Sequence, residues 1–175
     1  LFRSIFFLTG GFKMKNALGL SLGICGAVWT FLALGVLEGY ALVWGGFIAW
    51  GCYFTNGKGT DNLQKTIVAT IYGAVLAGVA VVIMGAISAY TGSLAAPIAV
   101  GITVWGLTAL AGNKMFANIP ANVFGYAGTF GLILMTSNME VTSLDLYNPV
   151  LLMSVSFILG SIAGMISEKV ADAIS

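Results

Sequence analysis

The sequence predicts an all-α integral membrane protein, six transmembrane helices arranged as two inverted three-helix repeats. Three observations predict it. The chain is 59 % hydrophobic and only 7 % charged, whereas a soluble domain carries roughly 25 % charged residues. Six apolar stretches, roughly 17–37, 40–54, 66–88, 94–112, 120–136 and 149–167, contain no charged residue. All 7 Lys and Arg residues fall on one side of the membrane those stretches define.

Arg3, Lys13 and Lys15 precede the first stretch, Lys58 and Lys65 follow the second, Lys114 the fourth and Lys169 the sixth. The alternate connections carry only Glu38, Glu140 and Asp145. Lys and Arg stay on the cytoplasmic side of bacterial membranes, so this pattern predicts an inner-membrane protein with both termini in the cytoplasm. Helices are expected because unpaired backbone is costly in hydrocarbon and the segments lack the alternation of barrel strands.

Residues 1–13 read as a non-native upstream extension. Thr9-Gly10-Gly11-Phe12-Lys13-Met14 can be encoded as ACA GGA GGT TTT AAA ATG, a ribosome-binding sequence before a start codon. The plainer alternative is a disordered or interfacial amphipathic tail. Residues 14–175 then form a single six-helix membrane domain.

The first span begins near Ala17 and ends before the turn at Glu38. The second, Tyr40–Phe54, is short and rich in glycine (Gly45, Gly46, Gly51); about 17 residues are needed to cross comfortably. A turn-rich loop, Asn56 to Asn62, leads to the third span. Pro97 stands near the start of the fourth. Pro120 and Pro149 stand at first helical positions, where a missing N–H costs nothing. The fifth span is also short and holds Gly125, Gly128 and Gly131. Re-entrant second and fifth segments would put Lys58, Lys65 and Lys114 outside, against the charge rule, so six crossings are expected.

The halves, about 17–88 and 94–167, align at an offset of 76 residues: Val28-Trp29 on Val104-Trp105, Ala33-Leu34 on Ala109-Leu110, Phe54 on Phe130. The third spans align after an insertion of about ten residues, Gly73-x-x-x-Ala77 on Gly160-x-x-x-Gly164. Three spans per half force the halves upside down relative to each other. Inverted repeats are common in channels and secondary transporters, which hold solute at the midplane between short or broken helices.

A solute path is therefore expected around Asn122, Thr129, Trp29, Trp105, Gly46 and Thr30. Asn122 is the only amide well inside a span, and a buried amide must bond either a neighbouring helix or a solute. Gly46 is its counterpart at the same offset. Trp29 and Trp105 occupy equivalent positions and would narrow the path. Thr103, Thr108, Ser154 and Ser156 add hydroxyls, which more commonly bond the preceding turn of their own helix. The small-residue spacings Gly19-x-x-x-Gly23, Gly73-x-x-x-Ala77 and Gly160-x-x-x-Gly164 suit close helix packing within the chain, or oligomerisation through one stripe.

Absences narrow the function further. The chain has no His, and no charged residue lies within a span, so neither a proton relay nor an ion-coupled pump has side chains to use. No catalytic constellation is present, which argues against an enzyme, and no metal or cofactor is implied. A net charge of +1 offers nucleic acid no basic patch. Cys25 and Cys52 read as small core residues.

At Trp44-Gly45-Gly46-Phe47, Lys65-Thr66 and Ile119-Pro120-x-x-x-Phe124-Gly125 the chain resembles the YcdZ-like family of small bacterial inner-membrane proteins, domain of unknown function 1097. The likeness runs from about Met14 to Glu168. Family members carry Trp-Ala-Gly-Phe, where this chain has Gly45 in place of Ala. The resemblance implies an inner-membrane location and a six-span core, and brings no activity with it. The expected function is passive conduction of a small uncharged solute. The alternative is a non-conducting subunit that binds a partner membrane protein through Gly-rich helix faces.

Overall fold

A computed structural model describes residues 2–55 and 57–175, with side chains described from Asn16 onward, excepting Asn56. The described residues form helices and no strand. In order these are α1 (Phe2–Leu34), α2 (Val43–Tyr53), α3 (Gly59–Thr91), a 3-10 turn (Gly92–Leu94), α4 (Ala95–Ala109), α5 (Ile119–Met135) and α6 (Pro149–Ile174). The side chains of the segment before Met14 lie outside the described residues.

Local chemistry sets these boundaries. Gly39 and Gly92 adopt positive φ (78° and 54°), where a side chain would be strained, and they turn the chain after α1 and α3. Asn118 caps α5 by accepting from the Ala121 amide. Asn148 caps α6 by accepting from Val150 and Leu151. Pro120 and Pro149 stand in the first turns of those helices, as expected of residues without an N–H.

Three stretches are long and apolar enough to cross a membrane: Asn16–Leu34, Gly59–Ala109 (α3 through α4) and Pro149–Ile174. The surface matches that composition. Phe31, Val36, Tyr90, Trp105 and Met135 are each at least 74 % exposed, a surface suited to lipid rather than water. The apolar helices suggest a membrane protein. By contrast α2, with 11 residues, rises only about 16 Å, roughly half of a hydrocarbon core.

The interior is built from small residues. Ala49, Ala69, Ala74, Ala77, Ala80, Ala99 and Ala121 are all buried. They pack around a few large side chains, chiefly Trp29, Trp50, Tyr53, Tyr126, Met153 and Phe157. Backbones meet at glycine. A Cβ at Gly73 would collide with the Asn122 carbonyl of α5, one at Gly125 with the Thr70 carbonyl of α3, and one at Gly160 with the Gly46 carbonyl of α2. Without a hydrophobic drive between helices in lipid, this close dispersion packing holds the bundle together.

Burial recurs along the chain. The buried positions of α2 are Gly45, Gly46, Ala49, Trp50, Cys52 and Tyr53. Each has a buried counterpart 76 residues later in α5: Ala121, Asn122, Gly125, Tyr126, Gly128 and Thr129. In α3, Asn62, Thr66, Ala69, Thr70, Gly73, Ala74 and Ala77 are buried. Their positions recur 87 residues on as Pro149, Met153, Ser156, Phe157, Gly160, Ser161 and Gly164 of α6.

Helices α1 and α4 depart from the 76-residue register. The buried positions of α1 include Ala17, Ser21, Trp29 and Ala33, and those of α4 are Ala95, Ala99, Thr103 and Leu107. Trp29 is buried, as is Leu107 78 residues on, whereas Trp105 at an offset of 76 is 74 % exposed. Trp29 lies over Gly46, while the carbonyl of Leu107 accepts from Asn122, the residue equivalent to Gly46.

Candidate functional site

The residues expected to line a path stand in different environments, some buried and some exposed. Trp29 packs its ring on Gly46, donates its indole N–H to the Val43 carbonyl at 3.0 Å and is 4 % exposed. Gly46 is sealed by that ring on one side and by Gly160 on the other. Trp105 is 74 % exposed, so the two tryptophans do not face a common passage. Thr30 is half-buried on α1. Thr129 is buried and donates to the Gly125 carbonyl one turn earlier, at 2.9 Å.

Asn122 is fully buried. Its amide donates to the Leu107 carbonyl at 3.2 Å and the Phe116 carbonyl at 3.0 Å. These bonds tie the start of α5 to the end of α4 and the connection between them. Its Oδ1 has no partner among the described residues. The other hydroxyls bond backbone in the same way: Thr108 to Trp105, Ser154 to Val150 and Ser156 to Leu152. Ser156 also accepts from the Leu42 amide at 2.8 Å, holding the entry to α2 against α6. Thr103 donates to Ala99 and lies 3.0 Å from the Tyr126 hydroxyl.

The glycine stripes divide into two groups. Gly73, Gly160 and Gly164 are spent on contacts within the chain. Gly19 and Gly23 are exposed, and a Cβ at either would meet nothing within 4 Å. Ala27 and Phe31 continue that open stripe along α1 at four-residue spacing, both exposed. Beside it, Cys25, Val28, Trp29, Leu32, Leu159 and Ile162 line an apolar groove of about 350 Å³ between α1 and α6.

A polar cluster not anticipated from the sequence lies where α2 ends. Glu168 of α6 is only 7 % exposed, and its carboxylate accepts from the Tyr53 hydroxyl and from the Gly59 amide at 3.2 Å. Trp50 donates to the Ser167 hydroxyl at 3.1 Å, and Ser21 donates to the Ser167 carbonyl. Asn62 donates to the carbonyls of Tyr53 and Gly57. The cluster fastens α1, α2 and the α2–α3 connection to the end of α6. The signal for it was the spacing Gly160, Gly164, Glu168, which carries the buried face of α6 onto the carboxylate. Among the described residues, no group of His, Cys, Asp or Glu could hold a metal ion.

The family model described as a protein of unknown function, DUF1097, matches residues 19–172. The chain belongs to the DUF1097 family. The match begins within α1 and ends within α6, and includes the open stripe of α1 and the Glu168 cluster. No curated protein and no solved structure matches the chain.

Proposed function

We infer that this DUF1097 protein is a six-span bacterial inner-membrane protein of two inverted three-helix repeats, with both termini cytoplasmic. Its proposed role is that of a non-conducting subunit docking a helix of another membrane protein on α1. The recurrence of buried positions at offsets of 76 and 87 residues supports the repeat. So does the pairing of close approaches: Gly73 meets Asn122, and its counterpart Gly160 meets Gly46, the counterpart of Asn122. The third helix of each repeat thus packs on the second helix of the other. The one-sided distribution of Lys and Arg supports the orientation.

One observation carries the docking role: Gly19 and Gly23 are open while Gly73, Gly125 and Gly160 are in tight backbone contact. Small residues spaced by four invite a close helix partner in lipid, and among the described residues Gly19 and Gly23 have none within 4 Å. Gly19→Leu and Gly23→Leu test it, because the bundle has room for the added side chains. The reading expects both to abolish association with the partner, read as loss of a discrete higher-mass species in native membranes, while the protein itself stays folded. Association undiminished in both variants contradicts it.

A second reading, a passive facilitator for a small uncharged solute, is favoured by the unpartnered Oδ1 of buried Asn122 and by the inverted plan. Stopped-flow shrinkage of liposomes against a panel of neutral solutes distinguishes the two. Solute-selective acceleration over empty liposomes supports the facilitator.

A further inference from the structure

We propose that Lys65, Lys114 and Asn118 form a binding site for a phosphate group on the face of the bundle that carries the lysines. The three residues, with Ala117, line a pocket of about 300 Å³ where the α4–α5 connection meets the start of α3. Asn118 is 2 % exposed. Its Oδ1 is committed to capping α5 through the Ala121 amide at 3.1 Å, which leaves Nδ2 as a buried donor with no partner among the described residues.

The amides at the helix start are already used. Ile119 N–H donates to the Ala117 carbonyl and Asn122 N–H to the Asn118 carbonyl, while Pro120 has none to offer. The unpartnered donor of this corner, among the described residues, is therefore the buried side-chain amide. A buried donor left unmade is costly, so the pocket favours an acceptor there. An anion suits that donor, because Lys65 and Lys114 both line the pocket and the positive end of the α5 dipole adds to their charge. Asp61 opposes this through its 2.5 Å pair with Lys65. Its side chain is 77 % exposed, so solvent screens its charge, and Lys114 retains its own. A phosphate oxygen set supplies acceptors to both ammonium groups and to Nδ2 at once. The phosphate belongs either to an anionic lipid headgroup or to a soluble ion.

The test uses the whole chain in nanodiscs of equal parts phosphatidylglycerol and phosphatidylcholine, released for native mass spectrometry. In parallel, Tm in phosphatidylcholine nanodiscs is read with inorganic phosphate against chloride at matched ionic strength. The expected result is either retention of phosphatidylglycerol over phosphatidylcholine by about tenfold, about 1.4 kcal/mol, or a Tm raised by phosphate. The first names the lipid as the source, the second the soluble ion. Lys114→Gln, at an exposed position, and Asn118→Asp, which keeps the capping oxygen and removes the donor, are each expected to abolish the signal. Absence of both signals in the unaltered protein, or a signal that either variant retains, overturns the assignment.

Discussion

Gly160 of α6 lies so close to Gly46 of α2 that a methyl group on Gly160 would enter the space of the Gly46 carbonyl oxygen. Gly73 stands in the same relation to Asn122. No side-chain rearrangement relieves either collision, because the obstacle is backbone. Gly160→Ala and Gly73→Ala are each expected to destabilise the protein by about 1–3 kcal/mol or more, read from Tm in detergent or nanodiscs. Gly19→Ala and Gly23→Ala, with nothing within 4 Å, should leave Tm unchanged or slightly raised, since Ala exceeds Gly in helix propensity by roughly 1 kcal/mol.

Glu168 and Tyr53 act as one unit. Glu168→Ala deprives the Tyr53 hydroxyl of its acceptor and leaves the Gly59 amide only its 2.9 Å bond to the Tyr53 oxygen, at an expected cost of about 1–3 kcal/mol. Tyr53→Phe should cost a similar amount. The double variant should cost less than the sum, because each single change already removes the shared bond. Faster hydrogen exchange at Gly59 in Glu168→Ala is the local readout.

The two tryptophans once paired by sequence should respond differently. Trp29→Phe gives up the bond to the Val43 carbonyl and part of the cover over Gly46, and is expected to cost about 1–3 kcal/mol. Trp105→Phe removes little, since Trp105 is 74 % exposed, and should stay within about 0.5 kcal/mol. Thermal unfolding of both variants under one condition checks the contrast.

Asn122→Ala removes the donors to the Leu107 and Phe116 carbonyls. A loss of about 1–3 kcal/mol is expected, with solute flux in liposomes the same as for the unaltered protein. A flux that falls with Asn122→Ala favours the facilitator reading instead.

The helical character and long apolar stretches of this chain were legible in composition, because lipid demands apolar side chains over a whole span. Pro120 and Pro149 marked two helix starts for a local reason, the missing N–H. The register of α1 against α4 was not legible. Matching Trp29 to Trp105 maximised letter identity, but Trp29 is buried and Trp105 exposed, while the position 78 residues after Trp29, Leu107, is buried. Membrane helices draw on few residue types, so identity at one position carries little register information. The side-chain bond between Asn122 and Leu107 was hidden for the same reason: it runs to a carbonyl, which every residue possesses. Glu168 escaped notice because it stands beyond the charge-free stretch, and only the continuation of the Gly160–Gly164 face shows it turned inward.

The most direct test of the docking role places a photo-reactive benzophenone side chain at Phe31, on the open stripe of α1 and 75 % exposed, and a second at Trp105 as a control. Irradiation of intact membranes is expected to give a discrete protein adduct from position 31 that Gly23→Leu removes, with none from position 105. Only lipid adducts from position 31 would contradict the docking role of α1.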